Sequence, residues 1–167
     1  MVSKKYKTQK DSKTGLLRII ALKDFSDVKK GDKGGLIEKE ENLSQEGNCW
    51  VYCNAQVFRS AQVYGEASVS GNAKVFGSAQ VYGEASVSGN AQVCGEAQVY
   101  YKAQVYGSAQ VYDNAQVCGE ASISGNAEIN GAVKIIDIPI SSKYVDLAKV
   151  DKYCKDMRSV RKLYGKP

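Results

Sequence analysis

The chain has 167 residues, 43% of them apolar, with 23 basic side chains against 18 acidic ones and a net charge of +5. Eleven tyrosines, three phenylalanines and one tryptophan make a poor recipe for a globular core of large side chains. Sixteen glycines and two prolines exclude a collagen-like composition, and no apolar run is long enough to read as a membrane-spanning helix.

In chain order, residues 1–14 (MVSKKYKTQKDSKT) read as a basic flexible tail. They hold no apolar core of a signal peptide, so the expected location is cytoplasmic, that of a bacterial host cell if the chain is phage-encoded. Five cysteines, an odd number, fit reduced thiols in such a compartment. Residues 15–48 read as a small β cap: Leu16, Leu17, Ile19, Ile20 and Leu22 suggest a strand, and Gly31, Gly34 and Gly35 suggest turns around Leu36 and Ile37. A coil needs such a cap because its open end leaves strand edges unpaired. Trp50, in GNCWVYC, stands where the first coil is expected to begin and is placed to plug it.

From residue 49 to 138 the chain repeats itself. QVYGEASVSGNAKVFGSA (62–79) is followed by QVYGEASVSGNAQVCGEA (80–97), with only Lys74, Phe76 and Ser78 changed. A branched aliphatic returns every sixth residue in fourteen uninterrupted hexads, from Val51 to Ile129, and an alanine stands two places before each from Ala55 to Ala127. Residues two apart in a strand face the same side. Each hexad therefore reads as a short strand with alanine and valine inward, then a corner, commonly glycine, which takes positive φ without steric cost. Three hexads close one triangular turn of eighteen residues. That period stacks Asn54, Asn72, Asn90, Ser108 and Asn126 at one corner and Glu66, Glu84, Lys102 and Glu120 at another.

On these hexads the chain resembles the hexapeptide-repeat proteins of the left-handed parallel β-helix family. The resemblance implies an all-β solenoid: a left-handed parallel β-helix of about five triangular coils. The left hand rests on that resemblance, since the crossover rule for parallel strands favours the right hand and a right-handed solenoid is the alternative. DFSDVKKGDKGGLIEKEENLSQEGNCWVY followed at once by hexads is similar to small phage- and prophage-encoded hexapeptide-repeat proteins. This implies a phage origin and, by analogy, interference with a bacterial defence system.

Pro139 is expected to stop the last strand, and residues 139–167 to form a C-terminal α-helix. Its apolar positions Val150, Tyr153, Cys154, Met157, Val160 and Tyr164 recur every three or four residues. Lys149, Lys152, Lys155, Arg158, Arg161 and Lys162 occupy its other faces, as a solvated basic side or a docking surface. No base-reading motif accompanies them, so nucleic acid is an unlikely partner.

The resemblance also implies chemistry to test. Acyltransferases of the family use a histidine as general base, and its carbonic anhydrases hold zinc with three histidines. This chain has no histidine. Cys49 and Cys53 lack a second pair to complete a zinc site, so no cofactor is expected, and the chain reads as a non-enzyme. Serine, not threonine, fills the hydroxyl positions of the hexads, which argues against an ice-binding array.

What remains is the outward surface. The residues after the inward valines sort into three columns: Tyr64, Tyr82, Tyr100 and Cys118; Phe58, Phe76, Cys94 and Tyr112; and Tyr52, Ser70, Ser88, Tyr106 and Ser124. Aromatic stripes stabilise sheets as cross-strand pairs and also mark interfaces. Phe58, Tyr64, Phe76, Tyr82, Tyr100, Tyr112 and the irregular corner Tyr101–Lys102 are the candidate interface residues. The expected function is a homotrimeric binding module for a host protein, another macromolecule or a small ligand. The alternative is an acyltransferase-like enzyme with the family histidine replaced.

Overall fold

The computed structural model describes residues 4–141. They form a parallel β-solenoid with three sheets along its sides. Inward residues eighteen apart are paired, for example Val63 with Val81, Val75 with Val93 and Val69 with Val87. The interior holds little but the two residues the hexads supply: every alanine from Ala55 to Ala127 and every aliphatic from Val51 to Ile129 is buried. Gln80 and Tyr82, on either side of buried Val81, are only half-buried.

The helix is longer than its clean repeat. Strands β1 (Tyr6–Lys10), β2 (Leu17–Ala21), β3 (Lys33–Ile37) and β4 (Trp50–Val51) open the chain. β3 pairs in parallel with the strand Gln56–Val57, Ile37 opposite Val57, and Leu43 bridges to Val63. Ile37, Leu43 and Val51 therefore make a complete first turn, and the turns number about six, not five. The cap read over residues 15–48 ends earlier than expected, because its second half is already coil. Gly35 takes the alanine place in that turn, where an added Cβ would lie 2.5 Å from Val51 Cγ1.

Two further expectations are corrected. Residues 6–10 are not a flexible tail; they are β1, paired antiparallel with β2 from Tyr6–Ala21 to Lys10–Leu17. Pro139 does not stop the last strand; Pro139–Ile140 is a strand in register with Ser122–Ile123. The amide of Ser122 points forward, to the Ile138 carbonyl of the following turn. At Pro139 the equivalent amide would point away from the turn beneath it, so proline surrenders no bond to that turn. The helix expected over 139–167 lies, beyond residue 141, outside the described residues.

The first turn shows why β1 is ordered. Throughout the coil, carbonyls at the alanine, valine and corner positions accept amides from the preceding turn, as Ala67 O does from Trp50 N at 3.0 Å. In the first turn no preceding turn exists, and side chains of β1 and its neighbourhood take over. Lys5 Nζ donates to the carbonyls of Cys49 (2.9 Å), Gly47 and Glu46 (3.3 Å each). Tyr6 Oη donates to Leu43 O at 2.7 Å and Glu40 O at 3.1 Å. One turn on, Asn42 Nδ2 donates to Ala61 O and Arg59 O, while the amide of Leu43 turns back to Glu40 O. Trp50 is not the plug expected of it. It lies in register with outward-facing Ser68, and Tyr6 and Phe25 cover it edge-on at 6.1 and 5.3 Å.

Val81→Asp buries an unpaired charge and is expected to cost about 4 kcal/mol or more, abolishing the cooperative thermal transition. Gln62→Glu, at an exposed position on the outer side, should stay within about 0.5 kcal/mol of the parent. Tyr6→Phe strips the buried Leu43 carbonyl of its donor and should lower stability by about 1–3 kcal/mol, read as a fall in the denaturation midpoint.

Candidate functional site

The outward columns stand where the hexads put them, and the ladder fixes their geometry. Tyr64 and Tyr82 stack at 4.9 Å with planes 3° apart, and Tyr82 and Tyr100 at 5.0 Å and 2°. Phe58 and Phe76 stack at 5.0 Å and 2°. These separations match the strand spacing of about 4.8 Å: each ring rides on the backbone of its own turn. Glutamines beside the tyrosine column accept from it, Gln80 Oε1 from Tyr64 Oη at 3.3 Å and Gln116 Oε1 from Tyr100 Oη at 3.5 Å. Lys134 Nζ lies 6.0 Å from the Tyr100 ring centre. Arg59 sits 5.9 Å from the Phe76 ring, and Asn130 Nδ2 donates to Tyr112 Oη at 2.7 Å.

Phe58, Tyr64, Phe76, Tyr82, Tyr100 and Tyr112 are half-buried; the first five lie ring along ring instead of projecting. Burial pushes the phenols of Tyr64, Tyr82 and Tyr100 above their usual range, so the column stays neutral around physiological pH. Cys118, expected at the end of this column on the surface, is 3% exposed, with its Sγ 3.5 Å from Ile135 O. Burial also raises the Cys94 thiol, which makes it a weak nucleophile. All four cysteines among the described residues are unpaired thiols. Among those residues, no cluster of three or more histidine, cysteine, aspartate or glutamate side chains is placed to hold a metal ion.

The serine column behaves differently. Ser68 Oγ donates to Ser86 Oγ at 3.3 Å, continuing a flat row of hydroxyls. Gln104 interrupts that row, and Tyr106 interrupts the adjacent column of Ser70, Ser88 and Ser124. Tyr106 is 40% exposed and accepts from Ser122 Oγ at 3.3 Å. The hydroxyls of Ser122 and Ser124 hold its phenol below the usual value. Sequence reasoning placed Tyr106 in its column but not among the site residues; the signal was the break it makes in a run of serines.

Tyr101 and Lys102 share that turn. Tyr101 is 66% exposed, the most open large apolar side chain among the described residues. Its φ is +58°, at a corner where Gly65, Gly83 and Gly119 take +68° to +73°. Such corners are tight: a Cβ on Gly83 would lie 2.9 Å from Tyr101 N. Asp113 and Asp137 share the left-handed conformation but use their carboxylates at neighbouring amides, Gly131 N and Glu120 N. Tyrosine has no such short acceptor. Lys102 is exposed at the corner expected to stack it between Glu84 and Glu120. Of the asparagine row, Asn72 Nδ2 donates to Asn90 Oδ1 at 3.2 Å. The basic surface expected at Lys149, Lys152, Lys155, Arg158, Arg161 and Lys162 lies outside the described residues.

No family model matches the chain. Over 68 residues it is 46% identical to a protein of Escherichia coli (strain K12) named "Uncharacterized acetyltransferase YdcK". The match covers 40% of this chain and 21% of that protein, so the chain spans about a fifth of the length of this curated relative. Match and coil together fit the hexapeptide-repeat β-helix family. The expectation of a non-enzyme is corrected by this relative, which carries an acetyltransferase name. Lack of histidine removes only mechanisms that use one; a phenol, thiol or carboxylate also takes protons.

Tyr101→Gly relieves a left-handed tyrosine, and we expect stability to rise by about 1 kcal/mol, seen as a higher melting temperature. A lower one would mean that the exposed ring packs productively within the chain.

Proposed function

We propose that this solenoid is an acyltransferase-type module that works as a homotrimer and takes its acyl donor where neighbouring copies meet. The 46% match to an acetyltransferase-named protein carries the reading, and the aromatic columns supply its contact surface. Parallel rings of Tyr64, Tyr82 and Tyr100 and of Phe58 and Phe76 leave two apolar stripes on the sides of a thin prism. Closed cyclic symmetry covers such stripes without forming fibres. In place of the family histidine, Tyr106 is the group we assign as proton acceptor: it is accessible, and its phenol is already shifted toward ionisation.

The phenolate is the basic form. Turnover should therefore rise with pH through the ionisation of Tyr106, at a pH below the ordinary phenol value of 10.0. Free-thiol release from acetyl-coenzyme A, measured with a panel of amine and hydroxyl acceptors, tests this. Tyr106→Phe should lose the rising limb, while the circular-dichroism spectrum stays unchanged. No turnover with any acceptor would sink the enzymatic reading. Light scattering tests the assembly: a trimer mass is expected, reduced to a monomer by Phe76→Glu combined with Tyr82→Glu. A monomeric parent protein at micromolar concentration would refute the trimer.

A second reading, engagement of a host-cell macromolecule by a phage-encoded chain, is favoured by Tyr101 alone, whose exposure and conformation the coil does not need. Capture of a partner by the parent protein but not by the Tyr101→Gly variant would support it; equal capture would count against it.

A further inference from the structure

The base of the solenoid holds a pair of reactive groups that neither the acyl-transfer reading nor the repeat requires. Lys5 is 1% exposed, the one charged side chain buried among the described residues. Its Nζ lies 3.3 Å from the Sγ of Cys49, which is fully buried. Cys49 stands in the row of inward small residues, two places before Val51, where the later hexads have alanine. Later turns hold alanine there, and Lys5 Nζ also donates to three backbone carbonyls. The sulfur is thus a departure from the repeat, in contact with Lys5 Nζ and with the carbonyls of Ser44, Glu46 and Val63.

We propose that Lys5 and Cys49 form an oxidative cross-link site, in which peroxide joins Nζ to Sγ as a sulfenamide and ties the N-terminal strand to the first turn. In the first step Sγ attacks a peroxide oxygen as the thiolate: burial raises the Cys49 thiol, and the Lys5 ammonium beside it offsets part of that rise. The S–O bond forms, the O–O bond breaks, one water leaves, and the sulfur, oxidised by two electrons, becomes a sulfenic acid. In the second, the Nζ lone pair attacks that sulfur. The N–S bond forms, the S–O bond breaks, and the departing hydroxide takes a proton from nitrogen to leave as a second water. The amine, thiol and one peroxide thus become the N–S link and two waters.

Two features favour the second step over further oxidation. The amine is already at contact distance from sulfur, so the link needs a small approach and no loop rearrangement. Burial also lowers the Lys5 pKa, favouring the neutral nucleophilic amine, although the neighbouring thiol opposes part of that shift. Access comes from β1, an edge strand with one unpaired side; edge strands open locally at less cost than interior ones, and peroxide is small and uncharged.

Hydrogen peroxide treatment of the full chain, then non-reducing digestion and tandem mass spectrometry, tests the site. The expected product is a peptide pair joined through Lys5 and Cys49, two hydrogens lighter than the sum, accounting for most of Cys49 and reversed by dithiothreitol. The oxidised protein should melt at a higher temperature than the reduced one. Cys49→Ala supplies the regular occupant of that position; it should fold, give no linked pair and show no rise in melting temperature on oxidation. Should that variant fail to fold, Lys5→Arg keeps the cation without a nucleophilic amine and should likewise give no link. Cys53→Ser should leave the link intact. Cys49 recovered as sulfinic or sulfonic acid beside unmodified Lys5, joined to another cysteine, or unreacted while exposed Cys53 oxidises, would overturn the proposal.

Discussion

Everything in this molecule answers to the ladder of amides and carbonyls that runs from each turn to the next. A turn hands its outgoing amides to carbonyls seventeen residues on, as Gln62 N to Ala79 O and Tyr64 N to Val81 O. Such a ladder cannot widen or narrow without breaking bonds on all three sides at once. The cross-section is therefore constant, and the interior accepts the same pair, alanine and valine, at nearly every hexad. The corners must be tight enough to stack, which places backbone within 3 Å of where a glycine Cβ would stand. The outward rings inherit the same spacing and lie parallel. The ends are where the ladder fails, and there the polar side chains of Lys5 and Tyr6 stand in for a missing turn.

Constancy also decides what could be read without coordinates. Residues 51–129 were legible because each hexad repeats one answer, and the inward register of Val81 with outward Gln80 and Tyr82 followed from a period of two. The first turn was not legible. Ile37 and Leu43 keep the spacing of six, but the next spacing, from Leu43 to Val51, is eight, and glycine and glutamate stand where alanine should. β1 was hidden for a different reason. KYKTQK looks like a polar tail because its strongest partners are backbone carbonyls at the edge of the coil, which no side-chain pattern encodes. The columns of the candidate site were readable as columns, but their half-burial was not, since it depends on each ring lying along the next.

The distinctive chemistry of the chain gathers where the repeat is broken. Regular positions produce neutral phenols, raised thiols and hydroxyl rows, none of which is a strong acid, base or nucleophile at neutral pH. Departures produce the unusual groups: Tyr101 where a corner favours glycine, Tyr106 where a column favours serine, Cys49 where a row favours alanine. A repeat spends its sequence on shape, so the residues that depart from it are the informative ones.

The near-identity of residues 62–79 and 80–97 has a meaning in heredity. Copying one whole turn leaves the three faces, the inward rows and both ends as they were, because every later residue moves along the axis and none moves to a different side. Copying a single hexad would instead rotate everything downstream by one face and carry the tyrosines onto the serine side. Gene duplication in such a protein is thus filtered by geometry: slippage in units of a full turn passes almost unnoticed, while shorter slips scramble the surface. The three differences between the two copies, all of them at outward or corner positions, are where such a lineage is free to drift.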